Sequence, residues 1–163
     1  MSFDAIRLLP TDWQKLQRLR VAALAESTGI YGDLNEEAAQ TKDFWEQLLV
    51  EQIWIALRNQ GDEIGIACLT QSTLERYGDC WIKSWWISPQ FRGAGGSVVL
   101  LAWIDQFCIE QNWQVQALGV FESNQAAIAT FSKLGFKPVG IRNPSSRNPA
   151  EFYVVLARRA KSD

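Results

Sequence analysis

The sequence predicts an α+β fold built on a mixed sheet, and three observations carry that prediction. Two strand-like runs, 52–58 and 63–71, flank Asn59-Gln60-Gly61-Asp62, a hairpin signal that makes an antiparallel pair. A helical period over Leu100, Leu101, Ile104, Phe107 and Cys108 lies between two further strand-like runs, 80–88 and 114–120, giving a strand–helix–strand crossover. Two last strands, near 136–141 and 152–157, flank a loop rich in Asn, Pro and Ser. Helices and strands are thus mixed along the whole length.

The elements follow in order. Ile6 and Leu8 alternate with polar neighbours in a first strand, and Pro10-Thr11-Asp12-Trp13-Gln14 offers a Thr cap to a helix over 12–25. Trp13, Leu16, Leu19 and Ala23 share one face of it, and Ser27-Thr28-Gly29 ends it. A second helix starts at Asn35-Glu36-Glu37 and buries Trp45, Leu48 and Leu49. The hairpin and the aromatic run 80–88 then form a meander. Beyond the crossover, Asn124 caps a helix with Ala127, Ile128, Phe131 and Leu134 on its apolar face, and Gly135 stops it.

With 163 residues, 47% of them hydrophobic, residues 1–163 read as a single domain with a core of its own. A net charge of −2 provides no general field for nucleic acid or an anionic membrane, so neither is expected as a partner. No apolar run approaches the ~18 residues of a membrane span, and the first residues lack a leader pattern, so a cytoplasmic location is expected. Cys68, Cys80 and Cys108 are odd in number and widely spaced, which suits buried thiols rather than a disulfide frame. The absence of histidine removes Ser-His-Asp and Cys-His catalysis and argues against a metal site.

The segment that carries chemistry is Pro89-Gln90-Phe91-Arg92-Gly93-Ala94-Gly95-Gly96-Ser97, between the aromatic run and the crossover helix. Closely spaced glycines let successive N–H groups converge on one point, and the helix that follows adds its positive dipole end. A phosphorylated ligand fits such a cradle. No Gly-Lys-Ser/Thr follows, as a Walker loop requires, and no acidic residue suits a Rossmann fingerprint.

Arg92-Gly93-Ala94-Gly95-Gly96-Ser97, with the block from Asn124 through Phe131 to Gly135-Phe136, resembles the GCN5-related N-acetyltransferase (GNAT) family. The family's cofactor signature is Arg or Gln, two residues, Gly, one residue, then Gly or Ala, with Ser97 replacing the last small residue here. Its element order is strand, two helices, three strands, helix, strand, helix and two strands, the order derived above. The resemblance implies acetyl-CoA or another acyl-CoA as donor, an amine as acceptor and direct attack without a covalent enzyme intermediate. It assigns the pyrophosphate to the amides of Gly93, Ala94, Gly95, Gly96, Ser97 and Val98, with Arg92 adding charge. The pantetheine arm is assigned to a strand end splayed by a bulge, at Trp85, Trp86 and Ile87, and the Ile87 N–H to the thioester oxygen. Asn124 is given a polar contact near the same arm, and Phe131 reads as core or cofactor wall.

Two positions depart from the family. A tyrosine that protonates the departing thiolate is replaced by Phe131, and a glutamate base by Gly119. An amine arriving neutral, or losing its proton through water to Glu122, Asp79 or Glu75, still completes the transfer, and Ser123 and Tyr153 are further polar candidates. Simpler roles stand beside these. Asn124 serves as a helix cap, Lys133 as a last-turn charge and Glu36-Glu37 as a helix-start pair, while Trp13, Trp45 and Trp103 fall at core periods. Trp81, Trp85 and Trp86 suit either packing or an aromatic acceptor groove. The alternatives to an active transferase are an acyl-CoA-binding module without catalysis and a protein-interaction domain using a Trp-rich surface. A homodimer is compatible with all three.

Overall fold

The computed structural model describes residues 1–74 and 76–162. They form seven strands and five α-helices, and the chain divides into two compact units. The first comprises Met1–Thr70 and Ser84–Ile104, the second Gln71–Lys83 and Asp105–Asp163.

In the first unit, β1 (Phe3–Arg7), β2 (Ile53–Asn59) and β3 (Asp62–Gln71) are antiparallel neighbours, and the later half of β4 (Cys80–Ile87) follows β3. Gln60 (φ 53) and Gly61 (φ 94) make the β2–β3 turn, so the hairpin lies where the sequence places it. Helix α1 (Trp13–Glu26) begins just after the point that a Thr11 cap implies. Pro10–Asp12 form a 3₁₀ turn instead, and the Asp12 carboxylate accepts from the Leu9 N–H at 2.9 Å. The expected second helix is two, α2 (Leu34–Ala38) and α3 (Lys42–Glu51). Asp33 and Thr41 each cap one by accepting from the amide three residues on, so a second capping residue restarts the helix. Trp45 and Leu49 of α3 pack with Leu16, Leu19 and Ala23 of α1 over Trp54, Ala56, Ile66 and Trp86. Leu48 is only half-buried.

The second unit holds the other half of β4 with β5 (Val115–Phe121), β6 (Lys137–Pro144) and β7 (Phe152–Arg159). Cys80, Trp81 and Ile82 pair in parallel with Gln116, Ala117 and Leu118, the product of the predicted crossover through α4 (Gly96–Glu110). β7 lies between β5 and β6, antiparallel to both. Helix α5 (Gln125–Lys133) starts at its Asn124 cap and stops at Gly135 (φ 94). In the same unit, Arg158 donates to Asp105 at 2.6 Å and to Gln116 at 2.7 Å, pairing three buried polar side chains. The three cysteines are buried and none is in a disulfide.

Candidate functional site

In the first unit the site begins inside a strand. Ser84 has φ 55 within β4, a left-handed residue that interrupts the regular pleat. Its Oγ accepts from the Arg20 guanidinium at 3.0 Å, which ties this point of β4 to α1. At the strand end, the Ser88 N–H donates to the Ile64 carbonyl of β3 at 2.8 Å. Because successive amides alternate sides, the Ile87 N–H and carbonyl face the opposite edge of β4.

A 3₁₀ turn over Pro89–Phe91 leads into the cradle. Gly93 (φ 73) and Gly95 (φ 94) both adopt left-handed backbone, and nothing lies within 4 Å of the point where a Cβ would stand, so glycine is needed there for conformation. Gly96 is needed for space, since a Cβ would lie 2.7 Å from Leu57. Among the described residues, the amides of Gly93, Ala94, Gly95, Gly96 and Ser97 donate to no backbone carbonyl. The Val98 amide differs from its expected role, because it donates to the Gly95 carbonyl at 3.1 Å. The result is a run of unsatisfied donors at the start of α4, where the helix dipole adds positive potential.

Arg92 is less a loose charge than the sequence implies. Its guanidinium spans Glu26 at 2.6 and 3.3 Å, and its Nε–H donates to the Ile87 carbonyl at 2.8 Å. The same Glu26 accepts from the Trp86 indole at 2.8 Å. Arg92 and Trp86 together hold the Glu26 carboxyl below the usual range, Arg92 contributing most. Trp86 is buried in the core and Trp85 half-buried, while Trp81 is buried in the second unit. Of the eight tryptophans, Trp45, Trp54, Trp81 and Trp86 are buried and Trp13, Trp85, Trp103 and Trp113 half-buried. Glu37 stands in the first turn of α2, as a helix-start charge should, and also pairs with buried Arg20 at 2.8 Å.

In the second unit, Asn124 caps α5 by accepting from the Ala127 N–H at 3.1 Å. Phe131 is buried edge-on against Phe136, with ring centres 5.7 Å apart. Glu122 is bound by Arg142, whose guanidinium holds its carboxyl below the ordinary value. The carboxylate is therefore ionised but a weak proton acceptor. Asp79 caps the start of β5, accepting from the Gln114 and Val115 amides at 2.8 and 2.9 Å. Ser123 is exposed, and Glu75 lies outside the described residues.

A sequence model of the acetyltransferase (GNAT) family matches residues 16–136, most of the chain. The chain belongs to the GNAT acetyltransferase family. Solved structures agree on the fold of this GNAT protein. A GNAT-family acetyltransferase from Streptococcus pneumoniae superposes with a TM-score of 0.78 at 19% identity, over 98% of this chain and 100% of that one. A Salmonella typhimurium protein solved with its cofactor acetyl-CoA gives 0.71 at 14%, over 100% and 96%. The Escherichia coli ribosomal-protein-S18-alanine N-acetyltransferase gives 0.66 at 16%, over 99% and 96%. No curated protein matches the sequence.

Two residues of this GNAT site escape sequence reasoning. Glu26 follows the last apolar position of α1 and has the pattern of any exposed helix-end acid. Arg20 leaves a trace, because it sits four residues after Leu16 on the face that α1 buries, where a charge demands a partner.

Proposed function

We propose that this GNAT protein transfers an acetyl group from acetyl-CoA to an amine by direct attack. The observation that carries this is the run of amides from Gly93 to Ser97, unsatisfied by backbone carbonyls where Gly93 and Gly95 take left-handed conformations. Such donors suit a diphosphate, and acetyl-CoA carries one. Val98 would contribute less, its amide being engaged. Arg92 would act chiefly by fixing the Ile87 peptide.

Ile87 would supply the oxyanion donor. Its N–H points to the side of β4 away from β3, and a fixed backbone dipole aimed at a thioester oxygen stabilises the charge that develops when a neutral amine attacks. Trp85, Trp86 and Ile87 would border the pantetheine arm through their backbone. Glu122 would serve poorly as the base. We take residues 1–163 to work as one acetyltransferase domain, because the family match runs through segments of both units. A cytoplasmic setting is in keeping with three buried thiols.

A second reading, an acyl-CoA-binding module without chemistry, is favoured by Phe131 and Gly119 at the family's acid and base positions. Thiol release from acetyl-CoA separates the two. With small amines, polyamines and peptides bearing an N-terminal alanine offered in turn, the transferase releases CoA thiol with at least one. The module binds acetyl-CoA and releases none.

A further inference from the structure

The Ile87 N–H belongs to the peptide that joins Trp86 to Ile87, and contacts within the first unit fix where that peptide points. Its carbonyl end lies against Gly65 of β3. A Cβ at 65 would stand 2.8 Å from the Trp86 oxygen and 3.4 Å from the Ile87 Cα, both backbone atoms with no rotamer to yield. The peptide is trans, so the Ile87 N–H points away from Gly65. On one flank the Trp86 indole donates to Glu26 Oε2 at 2.8 Å. On the other, the Ile87 carbonyl accepts from Arg92 Nε at 2.8 Å, and the two remaining nitrogens of that guanidinium donate to Oε1 and Oε2 of the same Glu26 at 3.3 and 2.6 Å. The next peptide is held separately, the Ser88 N–H donating to the Ile64 carbonyl at 2.8 Å. One carboxylate thus answers for both flanks of a single peptide. Glu26 and Arg92 are each more than a third exposed, so their pairing adds little to folding stability, and its main effect is on geometry.

We propose that Glu26 is a positioning residue for the acyl transfer: by gripping Trp86 directly and the Ile87 carbonyl through Arg92, it aims the Ile87 N–H at the thioester oxygen, with Gly65 as the seat behind the peptide. The assignment rests on the acetyltransferase reading above. As the amine attacks the carbonyl carbon, negative charge gathers on the thioester oxygen, and a donor stabilises it best when already aimed as the charge appears. The ground-state thioester carries little of that charge, so acetyl-CoA binding depends on the cradle amides far more than on this alignment. Glu26 therefore acts on kcat rather than on affinity, and acts through Trp86 and Arg92.

The test uses the full chain, acetyl-CoA as donor and benzylamine, spermine and tri-alanine as acceptors. Glu26→Gln keeps the shape of the side chain and removes the charge that holds Arg92. It is expected to bind acetyl-CoA with a Kd within about twofold of wild type, while kcat falls by about 10–10²-fold, the scale of a misplaced donor. A second readout needs no turnover. In proton–nitrogen correlation spectra, acetyl-CoA is expected to shift the Ile87 amide and the cradle amides from Gly93 to Ser97 in wild type, and in Glu26→Gln the Ile87 shift is lost while the cradle shifts remain. Gly65→Ala, which pushes the same peptide from behind, is expected to show the same split and serves if the first variant misfolds. A folded Glu26→Gln protein that keeps kcat within about twofold of wild type, or keeps the wild-type Ile87 shift, overturns the inference. So does one whose affinity for acetyl-CoA falls as far as its kcat, and so does a wild type that binds acetyl-CoA and releases no thiol with any acceptor. Failure of the folded wild type to bind acetyl-CoA overturns the functional reading itself.

Discussion

Glu26, the last residue of α1, and Arg92, just past the end of β4, form a two-pronged ion pair with N–O distances of 2.6 and 3.3 Å. The pair joins a helix end to the entrance of the glycine cradle. Its third arm, from Arg92 Nε to the Ile87 carbonyl, restrains the peptide at the strand end, where the Ile87 N–H is proposed to meet the thioester oxygen. A guanidinium suits this task because its planar fork serves two partners at once. Arg92→Lys is expected to lose that fork and lower kcat more than it weakens acetyl-CoA binding. Steady-state kinetics set beside a binding titration would check the split.

The pair also has a pH signature. Arg92, and after it Trp86, holds the folded-state pKa of Glu26 below its unfolded value. The stabilisation is therefore fully present above the unfolded carboxyl pKa, about 4.3, and is lost as pH falls through the lower folded value. Because both side chains are more than a third exposed, the expected size is modest, roughly 0.2–1 kcal/mol. Urea denaturation of wild type and Glu26→Gln should show a stability gap at pH ~6 that closes below pH ~3.

The cradle glycines are expected to fail for different reasons. Gly95→Ala places a side chain at φ 94 in open space, so its cost is backbone strain of about 1–2 kcal/mol. Gly96→Ala drives a methyl to within 2.7 Å of Leu57, and its cost is overpacking of about 1–3 kcal/mol. A compensating Leu57→Ala should restore stability to the Gly96 variant relative to the sum of the two single changes, and should do nothing of the kind for Gly95→Ala. Double-mutant cycles in urea would reveal this.

Arg20 is buried, bound to Glu37 and to Ser84, which has left-handed backbone. Arg20→Met leaves Glu37 without its cation and Ser84 without the donor that faces its left-handed backbone. A loss of about 3 kcal/mol is expected. Chemical denaturation measures it directly.

Asn124 is expected to act twice. Asn124→Ala removes the cap on α5 and should cost about 1 kcal/mol. Asn124→Asp keeps an acceptor for the Ala127 amide and should recover that stability. If the side-chain amide also touches the pantetheine arm, the Asp variant remains weaker than wild type in acetyl-CoA binding. Thermal melts and titrations of both variants would distinguish the roles.

Much of the fold is legible in the sequence where a local rule decides. The Gln60-Gly61 turn, the crossover through α4 and the Asn124 cap follow from turn chemistry, periodicity and capping, each set within a few residues. Less legible are features made by distant partners. Glu26 acquires its role only because Trp86 and Arg92 arrive from 60 and 66 residues away. Ser84 has no glycine-like signature, and this left-handed residue is met by Arg20 of α1 through its hydroxyl. The helix break between Ala38 and Lys42 is hidden because Thr41 looks like any polar residue until the amide it caps is known. Phe131 and Gly119 are visible as departures, but the ring filling the space at Gly119 comes from β7.

The central claim is that the amides from Gly93 to Ser97 form an acyl-CoA site. Calorimetric titration of acetyl-CoA into wild type and into a folded Gly95→Val variant tests it most directly. The expected result is saturable one-to-one binding to wild type, inhibited by CoA, with binding lost in the variant. No heat of binding at millimolar acetyl-CoA, in wild-type protein shown to be folded, would contradict it.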